Sequence, residues 1–187
     1  MRDPDRTRAR RHGMLAVGIA VVVLATGCTA RGEPATPVAS ADRQAQVAER
    51  GQSVMPFDLD ATTHHFTKTG SGGVQTVVAD DPEDTSQVVL VRQHLQQEAD
   101  RFRRGDFTDP ASIHGDQMPG LAVLRDSPGK VTVEYAATGT GARITYDSGD
   151  TAVVAALHSW FDAQVGDHGA HATPGTPSDP SPSPASR

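Results

Sequence analysis

Histidine is the residue of this 187-residue chain best placed to do chemistry. Seven of its eight histidines fall within residues 64–171: His64, His65, His94, His114, His158, His168 and His171. Two of them repeat a spacing. His94 precedes Glu98 by four residues and His158 precedes Asp162 by four, which on a helix sets imidazole and carboxylate on one face. Both groups ligate divalent metals, and His114 with Met118, again four apart, adds the soft thioether that suits copper. With His64, these form a candidate metal set: His64, His94, Glu98, His114, Met118, His158 and Asp162, for copper or zinc. Each member also has an ordinary reading, as a surface ion pair, a satisfied imidazole or, for Met118, a core plug. His168 and His171 lie beyond an expected helix stop at Gly166 and stay outside the set. The chain contains no Cys-x-x-Cys and no His-Glu-x-x-His, and the glycines at 70–73 lead into a strand, not a phosphate-binding helix. Ser112, His114 and Asp116 are triad residue types, but alternate neighbours in a loop make no triad without geometry to join them. No catalytic residue is assigned.

The elements that must carry these residues read as one pattern used twice. Thr62–Thr69 is Thr-rich and strand-like, the glycines at 70–73 turn the chain, and Val74–Ala79 returns. Asp84 then caps a helix, with Gln87 completing a capping box, and Val88, Val91, Leu95, Ala99 and Phe102 recur at helical spacing. The second unit repeats the order: a strand over Val131–Ala136, a turn at Thr138-Gly139-Thr140-Gly141, and a strand with Ala142, Ile144 and Tyr146 on one face. A helix capped by Asp150 follows, with the stripe Val154, Leu157, Phe161 and Val165. Both turns share the form Thr-Gly-x-Gly, at 69–72 and 138–141. The predicted fold is α+β: two ββα units joined in a four-stranded antiparallel sheet with both helices on one face, because a lone hairpin is marginal. A pseudo-two-fold between the units would bring His94 and His158 face to face.

Composition sets the limits of this domain. All eight aromatic residues lie between Phe57 and Phe161, and aromatics build cores. Residues 1–13 carry five arginines, residues 14–25 are uninterruptedly apolar, and Cys28, the only cysteine, follows Ala25-Thr26-Gly27. A basic start, a short apolar run and small residues before a cut make a secretory signal. A cysteine at the cut resembles a bacterial lipobox, so residues 1–27 read as a signal peptide and Cys28 as a lipidated N-terminus. Residues 28–54 read as a flexible tether, 55–171 as a single α+β domain, and 172–187 as a Pro/Ser-rich disordered tail. Arg10-Arg11 leaves both general and twin-arginine export open. Before Cys28 five arginines oppose two aspartates, a charge of +3, so from a total of −6 the remainder carries −9. Such acidity repels phosphate backbones and argues against nucleic acid as a partner.

Between the two units runs Gly105-Asp106-Phe107, Asp109-Pro110, Ile113-His114-Gly115 and Met118-Pro119-Gly120-Leu121. Two short helical turns are expected, one begun by Asp109-Pro110 and one by the Met118 run. The connector resembles a motif of an uncharacterised family of small exported bacterial proteins and lipoproteins. Met55-Pro56-Phe57-Asp58-Leu59, Thr63-His64, Arg92-Gln93-His94-Leu95 and residues 157–164 echo the same family. That resemblance implies the limits and fold of the 55–171 domain. Proteins of this kind are sometimes labelled aspartate carbamoyltransferase; that enzyme's Ser-Thr-Arg-Thr phosphate run is absent here. The sequence points to a lipid-anchored protein outside the cytoplasmic membrane, with copper or zinc as its cofactor. A metal-free envelope module docking a protein partner is the second reading, and an enzyme the third.

Overall fold

The computed structural model describes residues 39–176. Residues 1–27, read as a signal peptide, Cys28, the start of the expected tether and most of the expected tail lie outside these residues. The class is α+β: five helices and five strands in the order α1 (Ala41–Gln52), β1 (Thr62–Thr69), β2 (Gly72–Ala79), α2 (Thr85–Phe102), α3 (Thr108–His114), α4 (Leu121–Arg125), β3 (Thr132–Ala137), β4 (Gly141–Asp147), α5 (Thr151–His168) and β5 (Ala172–Pro174). The sheet order is β3-β4-β2-β1-β5. β1 pairs with β2, β2 with β4 and β4 with β3, all antiparallel.

The expected four-stranded antiparallel sheet is therefore corrected to a five-stranded mixed one. Residues 172–174, read as the start of the tail, pair in parallel with His64–Phe66 of β1. A short strand at an edge needs no apolar periodicity of its own, so composition hides it. The tether reading fails at residues 41–52 for a related reason. Their Ala, Arg, Glu and Gln composition is that of a polar helix, and Ser40 caps it by accepting from the Arg43 amide. Val47 and Gly51 are its buried residues, and α1 packs on α3 and α5.

Strand alternation turns His64, Phe66, Val77, Ile144 and Tyr146 inward. Tyr146 meets Phe102 of α2 and both Trp160 and Phe161 of α5, which puts the two helices on the same face. The packing is crosswise. α2 follows the first hairpin yet lies mostly over β4 and β3, touching its own unit chiefly at β2, while α5 follows the second yet lies over β1, β2 and β5. Each helix also ties the turn of the other unit's hairpin. Arg92 donates to the carbonyls of Thr138, Gly139 and Gly141, and His158 Nε2 binds those of Thr69 and Gly72. Arg92 and His158 both sit seven residues after their helix starts, Thr85 and Thr151.

Three local expectations need correction. Gln87 does not bond back to its cap; its side chain accepts from the Asp58 amide at 2.9 Å, anchoring the loop before β1. On α5, Val154 and Val165 are only half-buried, and Val153, Ala156, Trp160 and Gln164 join Leu157 and Phe161 in the core. That helix is covered on two sides, by the sheet and by α1 and α4, so its buried arc is wider than one stripe. Gly166 does not stop it, because α1 receives it: the Gln44 amide donates to the Gly166 carbonyl at 3.0 Å. The helix ends at Gly169, where φ is +56°.

Candidate functional site

Four histidines converge beneath the sheet. His64 points inward from β1, His94 comes from the middle of α2, and His114 and His168 are the last residues of α3 and α5. The rings of His64 and His168 stack with centroids 5.2 Å apart and planes 8° apart. His114 meets His168 edge-on at 5.0 Å, and Phe57 packs against both His64 and His94, at 5.8 and 5.6 Å. Together with Glu98, Trp160 and Gln164 these imidazoles line a cavity of about 40 Å³, room for one or two waters. Three buried polar atoms on its wall have no hydrogen-bond partner: His64 Nδ1, Trp160 Nε1 and Gln164 Oε1. Unpaired buried polar groups are costly and uncommon, and call for a function or a guest.

The electrostatics of the site favour uncharged imidazoles. Burial lowers His64 to about 3, helped by the field of His94, and lowers His94 to about 4 against the pull of Asp109. Burial also holds His168 well below its ordinary value, and His114 below its own although Asp167 works the other way. At neutral pH all four rings have a free lone pair, the form that binds metals. Glu98 behaves oppositely. Burial, then a hydrogen bond with the Asp109 carboxyl, raises it to about 8, so it is largely protonated at neutral pH. Arg101 supports this corner by pairing with Asp106 at 3.0 Å and Asp109 at 2.7 Å.

His114 is oriented by a carboxylate. Its Nδ1 donates to Asp167 Oδ2 at 2.8 Å, which leaves Nε2 as the bare nitrogen. Burial alone would raise Asp167, but the bonds from His114 and Arg43 hold it at about 2. Arg43 reaches across from α1, giving Nε to Oδ1 at 3.1 Å and Nη2 to Oδ2 at 2.6 Å, and the same Nη2 donates to the His114 carbonyl at 2.6 Å. On the far side of this group an open cleft of about 570 Å³ is lined by Arg43, His114, Gln117, Met118, Ser159 and Asp167 among others.

Of the seven candidate ligands, the structure brings four together: His64, His94, Glu98 and His114 share the cavity wall. Met118 is buried on the wall of the outer cleft. His158 is used up on the first hairpin's turn, and Asp162 pairs with Lys68. His94 and His158 do not face each other: the residue in the place of His158 on α2 is Arg92, two positions before His94. Ser112, His114 and Asp116 form no triad, since the Ser112 hydroxyl donates to the Thr108 carbonyl and Asp116 pairs with Arg125. His168, expected beyond a helix stop, instead continues the α5 row Leu157, Phe161, Gln164, His168, a row whose spacing runs on through Gly166. Arg43 and Asp167 carried no sequence signal, because their partners lie 71 and 124 residues away for Arg43 and 53 for Asp167 with His114. Among the described residues, no three His, Cys, Asp or Glu side chains stand as placed to share one ion.

The chain matches no family model, no curated protein and no solved structure. The resemblance in the connector stands on its residues alone.

Proposed function

We propose that this protein is an exported lipoprotein, held at the outer face of the membrane through Cys28, whose domain binds one transition-metal ion in the histidine cavity. The ion is copper or zinc. His64, His114 and His168 are its imidazole donors, with His94 and Glu98 on the remaining wall. The observation that carries this reading is the pairing of His114 with Asp167 beside the unpartnered Nδ1 of His64. A carboxylate that takes one imidazole N–H and leaves the other nitrogen bare is the usual support of a metal-ligating histidine. Ring centroids 5.0 to 5.2 Å apart keep the three imidazoles near enough to share an ion at about 2 Å once His64 or His168 turns out of its stack.

The test is a titration of the mature chain carrying Cys28→Ser, which keeps the thiol from competing, with Cu(I), Cu(II) and Zn(II). Metal at a hundredfold excess over Kd stabilises a single-site protein by about 2.7 kcal/mol. His64→Gln with His114→Gln should abolish that gain, and His158→Gln should keep it. A parent that shows no stabilisation with any of the three ions removes the metal reading. In that case the second reading, a metal-free envelope module docking a protein, takes its place.

A further inference from the structure

The metal reading leaves open by which side an ion reaches the cavity, whose wall includes half-buried His94 and Asp109 as well as fully buried His114. Among the described residues, His114 is the one side chain that lines both the cavity and the outer cleft. Its side chain is only 1% exposed, so the ring stands buried where the two spaces come together. That ring ends α3. The next residue, Gly115, has φ +85° and open space all round where a side chain would stand. The backbone beside the ring is nevertheless held, since Arg43 grips the His114 carbonyl and the Asp167 carboxylate together. The backbone is fixed, and one hydrogen bond, from Nδ1 to Asp167, holds the ring itself. Met118, the soft thioether of the connector, lies on the cleft side of it.

We propose, resting on the metal reading above, that the cleft is the port through which a transition-metal ion reaches the cavity, and that His114 is its gate. The ring turns outward, takes the ion on Nε2 in the cleft beside Met118, and turns back to share it with His168 and His64. The motion breaks one hydrogen bond, to Asp167, and remakes it on return. No covalent bond or electron is exchanged. Side-chain reorientation of this kind sets binding rates without setting affinity.

The chain carries its own reporter. Trp160 is the only tryptophan and lines the cavity, so its fluorescence follows the ion's arrival. Stopped-flow mixing of the mature Cys28→Ser chain with Cu(II), and separately with Zn(II), measures the rate. Ala163 is half-buried on the cleft wall, and Ala163→Phe fills the cleft without touching a proposed ligand. Loading and release should both slow by about tenfold or more, with Kd unchanged. Ser159→Phe, also in the cleft, should act the same way and serves if the first variant does not fold. Ala155→Phe, exposed on the same helix but outside the cleft, should leave the rate unchanged. Plugged variants that load at the parent rate overturn the port while the metal site survives. A parent whose fluorescence and melting temperature respond to none of Cu(I), Cu(II) and Zn(II) overturns the metal site and the port with it.

Discussion

Acidifying the metal-free protein from pH 7 to pH 5 tests the buried neutral imidazoles directly. Unfolded histidine titrates near 6.5, whereas folded His64 and His94 titrate near 3 and 4. A histidine with a lowered folded value stabilises the fold fully above 6.5, and that stability drains away as pH falls toward the folded value, because only the unfolded chain takes up the proton. By pH 5 each of these two costs about 2 kcal/mol. His114 and His168 shift in the same direction and add to the loss. Glu98 opposes them. Its folded value near 8, against 4.5 unfolded, makes the folded chain the proton acceptor in this window, which returns roughly 2 to 3 kcal/mol between pH 7 and pH 5. Asp167, at about 2, is ionised throughout. The expected net is a fall of at least about 1 to 2 kcal/mol. Urea unfolding of the metal-free chain at the two pH values measures it, and Glu98→Gln should deepen the fall by about the 2 to 3 kcal/mol that Glu98 supplied. Stability that is flat or rising from pH 6.5 to 5 in the Glu98→Gln variant would refute the claim that these rings are buried and neutral.

Gly120→Ala should cost about 3 kcal/mol or more in thermal or denaturant unfolding. Gly120 has φ +78°, and a Cβ there would stand 2.1 Å from the Ala156 carbonyl oxygen on α5. A chain begun at Met55 should melt well below one begun at residue 39, because the first loses Val47 from the core and Arg43 from Asp167; equal melting temperatures would show α1 to be dispensable. Cys28→Ala should leave the protein out of the membrane fraction or as an unprocessed precursor, read by fractionation and mass; a mature-sized protein that stays in the membrane removes the lipid anchor.

The parts of the fold that sequence showed are those encoded by local period and local capping. β1 was bounded to the residue, and the α2 stripe and the inward face of β4 stand as expected. What sequence hid depends on partners distant in the chain. α1 is seated by one valine, one glycine and an arginine whose carboxylate lies 124 residues on. β5 exists because β1 offers a free edge. The site divides the same way. The i,i+4 spacing that singled out His94 and Glu98 placed two true cavity residues, yet the identical spacing at His158 and Asp162 marks a hairpin tie and a surface ion pair. A spacing reports that two side chains share a helix face. It does not report which neighbour that face meets, and here the crosswise packing of the helices decides that.

That crosswise packing makes the two halves of the chain unfit to exist apart. Cut between Asp126 and Lys130, the first piece would keep only the contact of α2 with β2 and the second chiefly that of Tyr146 with α5, and each Thr-Gly-x-Gly turn would lose the side chain that ties it. Separately expressed fragments should stay unfolded until mixed. The same interlock orders maturation during synthesis. The leading half presents His64 and His94 early, but the chamber around them closes only when α5 arrives with Trp160, Asp167 and His168. The last helix to be made is therefore the one that finishes the interior, and a chain truncated before it would be left with its imidazoles open to solvent.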